Sequence, residues 1–151
     1  MTDEDGASTL EPLDLDECRR LLRESTVGRV AVAVHDFPLI VPVNYRFVET
    51  SGPTWVVLRT RAGSLLEQAP MPAAFEIDAI DAQHHSAWSV LVRGTLHRID
   101  PESADLAEHF DPEPWADGER DVWMAIEPFF ITGRRLPGGT PSWAFQPEAY
   151  L

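Results

Sequence analysis

Short apolar segments of strand length, separated by clusters of turn-forming residues, run through most of this chain. Val30, Val32 and Val34 alternate with alanines, and residues 54–60 are rich in β-branched and apolar side chains. Alternation with a period of two is typical of β-strands, and many such runs at short intervals indicate an all-β domain. We predict six antiparallel strands, over residues 30–34, 39–48, 54–60, 73–78, 88–99 and 122–134. The expected fold is mainly β, a small six-stranded barrel, because closing a sheet on itself leaves no unpaired edge.

Two residues inside the predicted strands refine this picture. Pro42 has no N–H to donate to a sheet, so its strand is expected to be an edge, or to be bulged, where Pro42 lies. Gly94 predicts a bend or bulge in the long strand that contains it. A tight turn is expected at Asp36-Phe37-Pro38, and the acidic segment 111–121 is expected to be a solvated loop.

Helical patterns are limited to short flanking segments. Apolar residues recur at helical spacing from Leu15 to Leu22, which predicts a helix that ends near Ser25. Asp14 or Asp16 is its expected N-cap, because a carboxylate there accepts hydrogen bonds from free backbone N–H groups. Two more short helices are predicted over residues 63–68 and 100–110.

The length of 151 residues suits one domain. Residues 1–12 are polar and acidic, and we expect a mobile N-terminal arm there, followed by a single domain over residues 13–151. The end of the chain is rich in proline and glycine yet contains Trp143, Phe145 and Tyr150. Aromatic residues in such a tail indicate that it docks onto another surface.

The charge of the chain excludes several classes of partner. Asp and Glu outnumber Lys and Arg by 25 to 12, for a net charge of −13, so neither nucleic acid nor an anionic membrane surface is an expected partner. All 12 cations are arginines, which excludes a lysine Schiff base and leaves arginine as the strong phosphate-binding side chain.

Motifs for metal binding, covalent catalysis and membrane insertion were not found in the sequence. Cys18 is the single cysteine, and the adjacent His84 and His85 lack a third ligand at zinc spacing. No catalytic residue is assigned, because no nucleophile elbow or phosphate-binding glycine motif occurs. The acidic start and the lack of an apolar run of about 20 residues favour a cytoplasmic protein.

One segment has the composition of a phosphate site. The strand over residues 54–60 ends in Arg59-Thr60-Arg61, and Ala62-Gly63-Ser64 follows at a predicted helix start. Guanidinium groups, hydroxyls and free backbone N–H groups converge there, which is what a dianionic phosphate requires.

Four stretches, in this order and spacing, resemble the FMN-binding split-barrel superfamily and within it the pyridoxamine 5′-phosphate oxidase-like proteins. They are Val27 to Ala31 with Pro38 to Tyr45, Leu58 to Leu66, Ala87 to Thr95, and Ile131 to Arg135. The closer similarity is to the small branch that includes nitroimidazole-resistance proteins. The resemblance implies a split barrel that holds FMN at the interface of a homodimer.

The resemblance also implies a set of cofactor contacts. Thr60 and Ser64 match the phosphate-binding hydroxyls of the family, although the basic residue that often follows the serine is replaced by Leu65. The isoalloxazine ring is expected along Pro42 to Tyr45, and Trp143 resembles a residue that the partner subunit brings over the flavin. The full set of expected cofactor contacts is Pro42, Val43, Asn44, Tyr45, Leu58, Arg59, Thr60, Arg61, Ser64, Trp88, Ser89 and Trp143.

The function that the resemblance implies is an FMN-dependent oxidoreductase acting on a small flat substrate. The cofactor supplies the redox chemistry in such a protein, which fits the absence of a catalytic motif. Two alternatives stay open: a deazaflavin-dependent reductase, and a non-catalytic module that binds flavin or haem. The net charge of −13 disfavours the deazaflavin, which has a long acidic tail, and Leu65 favours the non-catalytic module.

Overall fold

The computed structural model describes residues 9–104 and 111–139 of the chain. Its strands are β1 (Glu11–Leu13), β2 (Val27–Val34), β3 (Phe37–Glu49), β4 (Thr54–Thr60), β5 (Met71–Asp81), β6 (Ser86–Arg98) and β7 (Val122–Leu136). Within these ranges one α-helix, α1, spans Leu15–Glu24, and two 3₁₀ helices span Leu65–Gln68 and Pro101–Ala104. No helix in the described ranges has the length and apolar character that crossing a membrane requires.

Six of the strands close into a ring. The neighbours run β7–β4–β3–β2–β5–β6, and β6 pairs again with β7, with every pair antiparallel. The predicted mainly β barrel of six strands is therefore confirmed. A seventh strand, β1, lies outside the ring and pairs with Gly133–Arg135 of β7. It includes Glu11 and Pro12, which the sequence had placed in the mobile arm, while residues 1–8 lie outside the described ranges.

The barrel is split because β3 changes its partner half-way along. Its first half, Phe37 to Asn44, pairs with β2, and its second half, Tyr45 to Glu49, pairs with β4. From Val41 to Asn44 the edge that faces away from β2 is therefore paired with no described strand. Pro42 lies in this stretch, opposite Arg29 of β2, so the predicted edge position of Pro42 is confirmed.

The core fills the ring and continues under α1. Asp14 caps this helix by accepting a hydrogen bond from the N–H of Glu17 at 2.8 Å, and Cys18 and Leu22 are fully buried beneath it. Tyr45 ties the helix to the barrel, since its hydroxyl donates to the carbonyl oxygen of Leu22 at 2.7 Å. Burial raises the pKa of Tyr45, which keeps the phenol protonated as a donor.

Three local predictions from the sequence can be compared with the structure: one is confirmed and two are corrected. The register of β6 against β7 shifts between Arg93 and Gly94, which confirms the predicted bulge. The turn before β3 is centred on His35 and Asp36, at φ of 50° and 63°, rather than on Asp36-Phe37-Pro38. The two segments predicted as short helices contain single 3₁₀ turns, and residues 105–110 of the second lie outside the described ranges.

Candidate functional site

A cavity of about 240 Å³ opens where β3 leaves β4. The strands contribute Val41, Pro42, Val43, Asn44, Arg59 and Thr60 to its lining, and the turn and 3₁₀ helix after β4 contribute Arg61, Ser64 and Leu66. The remaining wall comes from Pro112, Pro114, Ala116 and Arg120. These four residues belong to residues 111–121, which we call the roof segment.

Two hydroxyls meet at the inner end of the cavity. Thr60, the last residue of β4, is 8% exposed, and its hydroxyl donates to the Ser64 hydroxyl at 2.7 Å. Ser64 precedes a 3₁₀ helix of four residues rather than the longer helix that the sequence predicted. So short a segment adds little helix-dipole attraction for an anion, and the hydroxyls and the nearby arginines supply most of the polarity.

The turn between these hydroxyls leaves few backbone donors for a ligand. Gly63 has a φ of 78°, which favours glycine, and its N–H donates to the Glu67 carboxylate at 2.5 Å. The N–H of Ser64 donates to the carbonyl oxygen of Arg61 at 3.2 Å. In contrast, the Arg61 side chain is exposed and forms no hydrogen bond or ion pair with any residue in 9–104 or 111–139.

Arg59 has a different environment, although it lies only two residues away. Its Nε donates to the carbonyl oxygen of Arg120 at 2.8 Å, and its Nη1 donates to the carboxylate of Asp111 at 3.1 Å. The guanidinium carbon also lies 5.4 Å from the ring centroid of Trp123, within the range of a cation–π contact. Arg59 is therefore held by the roof segment and by β7 rather than projecting freely into the cavity.

The roof segment is also joined to β3. The backbone N–H of Trp115 donates to the Asn44 side-chain oxygen at 2.9 Å, while Trp115 as a residue is 75% exposed. The segment that the sequence assigned to a solvated loop is thus a wall of the cavity. Sequence reasoning missed Pro112, Pro114, Ala116 and Arg120 as lining residues, and the prolines were the available signal, because they restrict a loop to few conformations.

Seven of the twelve predicted contact residues line this one cavity. They are Pro42, Val43, Asn44, Arg59, Thr60, Arg61 and Ser64. The cavity brings together two segments that the sequence analysis had singled out separately, the open edge of β3 and the end of β4.

The side chains of two predicted contacts lie in the core and not in the cavity. The side chains of Tyr45 and Leu58 are 0% exposed and belong to the barrel core. Tyr45 stacks edge-on against Phe75, with ring centroids 4.6 Å apart. Both residues face the barrel interior, so their side chains do not contact a molecule in the cavity.

The remaining predicted contacts lie elsewhere or outside the described ranges. Ser89 lines a second cavity of about 390 Å³ with Glu76 and Arg134 of the neighbouring strands. Burial, and then the neighbouring Asp78, raise the pKa of Glu76. Trp88 packs partly buried against the core and does not line the first cavity. Trp143 is outside the described residues.

Comparison with known proteins agrees with this architecture. A family model described as pyridoxamine 5′-phosphate oxidase matches residues 14–135. An uncharacterized protein from Mycobacterium tuberculosis is 33% identical, over 87% of this chain and 88% of that protein. The solved structure of a FAD binding protein from Mycobacterium smegmatis is similar with a TM-score of 0.61 and 28% identity, over 84% of this chain and 98% of that one. A conserved protein of unknown function from Corynebacterium diphtheriae gives a TM-score of 0.71 and 25% identity, over 84% and 98% of the two chains.

Proposed function

The chain belongs to the pyridoxamine 5′-phosphate oxidase family, and from that premise we propose that it is a flavin-dependent oxidoreductase. The flavin is FMN, bound in the cavity between β3 and β4, and the substrate is a small flat molecule that lies beside the ring. The observation that carries this proposal is the cavity itself. A strand edge that has no partner among the described strands shares one opening there with a pair of hydroxyls and with Arg61, which has no partner in the described ranges.

The phosphate end of the flavin is assigned to the turn after β4. The hydroxyls of Thr60 and Ser64 lie 2.7 Å apart and bond to each other, so they are close enough for one phosphate group to reach both. Arg61 is an exposed cation at the same turn without a partner in the described ranges. A phosphate dianion that replaced the hydroxyl–hydroxyl bond would gain charge-assisted hydrogen bonds.

The ring end of the flavin is assigned to the open edge of β3. Along Val41 to Asn44 no described strand is paired in register with the edge of β3 that faces away from β2. Pro42 removes one donor from this edge, so another strand would pair poorly there. A flat heterocycle with its own donors and acceptors is a suitable partner for the groups that remain.

A second copy of the chain is proposed to complete the site. One chain provides about 240 Å³, whereas pockets for ligands of this size enclose roughly 300–1,000 Å³. The outer face of β6 and β7 carries exposed apolar side chains, with Phe129 at 69% and Phe130 at 60% exposure, and such patches are typical of interfaces. We propose that a two-fold homodimer buries this face and that Ser89 and Trp88 of β6 contribute from one copy to the site of the other.

The bound flavin supplies hydride or electron transfer when present. The residues of the chain bind and orient it: Thr60, Ser64 and Arg61 hold the phosphate, and the β3 edge fixes the plane of the ring. The roof segment excludes water from one side.

Flavin titration of the purified protein tests this proposal. We expect FMN to bind more tightly than riboflavin, and Arg61→Gln to weaken FMN about ten- to a hundredfold, because a hydrogen bond to a charged group contributes about 1.5–3 kcal/mol. Riboflavin binding should change little. Arg46→Gln is the matched control, since Arg46 does not line the cavity.

Three outcomes would contradict the proposal in different ways. Absence of flavin binding would exclude the cofactor, and tighter binding of FAD than FMN would correct its identity. A bound flavin that no nicotinamide nucleotide bleaches would favour the non-catalytic binding module.

A further inference from the structure

Arg59 is the side chain that joins the roof segment to the barrel. Its Nε bonds to the backbone of Arg120, near the end of the segment, and its Nη1 bonds to Asp111, at the beginning. One guanidinium group therefore holds both ends of the roof segment. Its side chain is 21% exposed, whereas the Asp111 side chain is 44% exposed.

The placement of Arg59 follows from the alternation of side chains between the two faces of β4. Along β4, Val56 and Leu58 face the main core, so Val57 and Arg59 face the outer side, where Val57 packs against Trp123. Arg59 also lies over the ring of Trp123, which fixes the guanidinium against β7. Three contacts from two different segments thus determine its orientation.

The roof segment is held at its middle and within itself as well. At the middle of the segment, the backbone N–H of Trp115 donates to the side-chain oxygen of Asn44 in β3, whereas Arg59 holds the two ends. Arg120 donates from Nη1 to the carbonyl oxygens of Ala116 and Asp117, at 2.9 and 3.1 Å, which closes the second half of the segment into a turn. The segment is therefore supported at both ends and at its centre, and its height above the cavity is set by these contacts.

The charge around Arg59 opposes a direct role in phosphate binding. Asp111 already neutralises the guanidinium, and a phosphate dianion that approached Arg59 would be repelled by the same carboxylate. Arg61 is at the same turn and has no such carboxylate among the described residues.

We propose that Arg59 is a positioning residue that fixes the roof segment and thereby sets the space available for a flat molecule in the cavity. It acts through Asp111 and the backbone of Arg120, not by contact with the phosphate. The consequence for ligand binding rests on the proposed flavin site, whereas the effect on the roof segment is independent of any ligand.

The variant Asp111→Asn distinguishes phosphate binding by Arg59 from positioning of the roof segment, because the two roles predict opposite changes in FMN affinity. If Arg59 bound phosphate, removing the carboxylate would free the guanidinium, and FMN would bind more tightly. If Arg59 positions the roof segment, FMN and riboflavin should both bind about three- to tenfold more weakly and by the same factor, because the segment must be ordered on binding. Arg59→Gln should give the same equal loss, in contrast to Arg61→Gln, which should affect FMN alone.

Hydrogen exchange of the ligand-free protein tests the positioning role without flavin. Arg59→Gln and Asp111→Asn should lower the protection of the Trp115 N–H about tenfold or more, because local opening of the segment becomes easier. Arg59→Lys should give a similar loss, since one ammonium group does not reproduce the planar fork that spans both ends. Arg61→Gln should leave this protection unchanged.

The outcomes are distinct. Unchanged exchange in Arg59→Gln and Asp111→Asn, or tighter FMN binding by Asp111→Asn, would overturn the positioning role. Loss of Trp115 protection in a protein that binds no flavin would support the positioning role while the proposed function failed. Because Asp111 is nearly half-exposed, its variant keeps the test available if Arg59→Gln does not fold.

Discussion

The wall formed by β5, β6 and β7 and the corner where β3 leaves β4 are built in opposite ways. In the wall, each residue from Met71 to Asp81 has a partner in β6, and the alternation of buried and exposed side chains follows the strands. At the corner one edge of β3 pairs with no described strand, and the opposite side is covered by the roof segment, which lies about 60 residues further along the chain and is bonded to Arg59. The wall therefore depends on regular pairing, and the corner depends on a few long-range polar contacts.

The largest effect is expected from a change to the wall at its bulge. A Cβ on Gly94 would lie 2.0 Å from the backbone carbonyl oxygen of Glu127, which cannot move without disrupting the β6–β7 pairing. Gly94→Ala should lower the free energy of unfolding by about 3 kcal/mol, measured by urea denaturation. Gly52→Ala is the matched control, since the nearest atom to its Cβ would be 3.8 Å away. Equal stability of the two variants would show that the bulge does not constrain the wall.

A smaller effect is expected at the boundary between the two regions. Tyr45→Phe keeps the ring in the core but removes the hydrogen bond to Leu22, leaving a buried carbonyl oxygen without its donor. We expect a loss of about 1–2 kcal/mol in the free energy of unfolding. Flavin affinity should stay the same, because the side chain faces the core. A variant with unchanged stability and weaker flavin binding would restore Tyr45 to the site.

The smallest effect is expected from Glu76, on the outer side of the wall. Its pKa is raised by burial and by Asp78, so the folded protein holds this proton to higher pH than the unfolded chain does. The contribution of Glu76 to the free energy of unfolding is therefore fully present below its ordinary pKa of 4.5, and it is lost as the pH rises toward and through the raised value.

Glu76→Gln should remove the decrease in the free energy of unfolding that Glu76 causes as the pH rises. The variant should gain stability relative to the original protein as pH rises through this window, with a constant difference above it. Urea denaturation at a series of pH values measures the two curves. Parallel curves throughout would show that Glu76 is not perturbed.

The comparison also explains what the sequence could predict. Six ring strands, the α1 helix with its Asp14 cap, the edge at Pro42 and the bulge at Gly94 followed from local patterns, because each depends on residues close together in the chain. Two of the three segments that line the cavity, Pro42 to Asn44 of β3 and Arg59 to Ser64 at the end of β4 and in the turn after it, were also predictable, since their polar residues interrupt apolar strands, whereas the roof segment was not.

The orientations and partners of individual side chains at the corner were not predictable. β4 is buried on both faces, so alternation gave no signal that Leu58 faces the core while Arg59 faces outward. No local pattern distinguishes the two arginines either, because they are the same residue type. Arg59 differs from Arg61 in its ion pair with Asp111, which lies far away in the sequence. A contact between residues 52 positions apart leaves no local pattern.

Closure of the ring by β7 has a consequence for how the protein is made. β7 pairs with both β4 and β6, yet it is synthesised after all the other described strands. Until it emerges from the ribosome, β4 and β6 each expose an unpaired edge, and such edges invite association between nascent chains. Closure of the barrel must therefore wait until β7, which ends at Leu136, has been made, and slow folding dominated by distant pairings is the expected result.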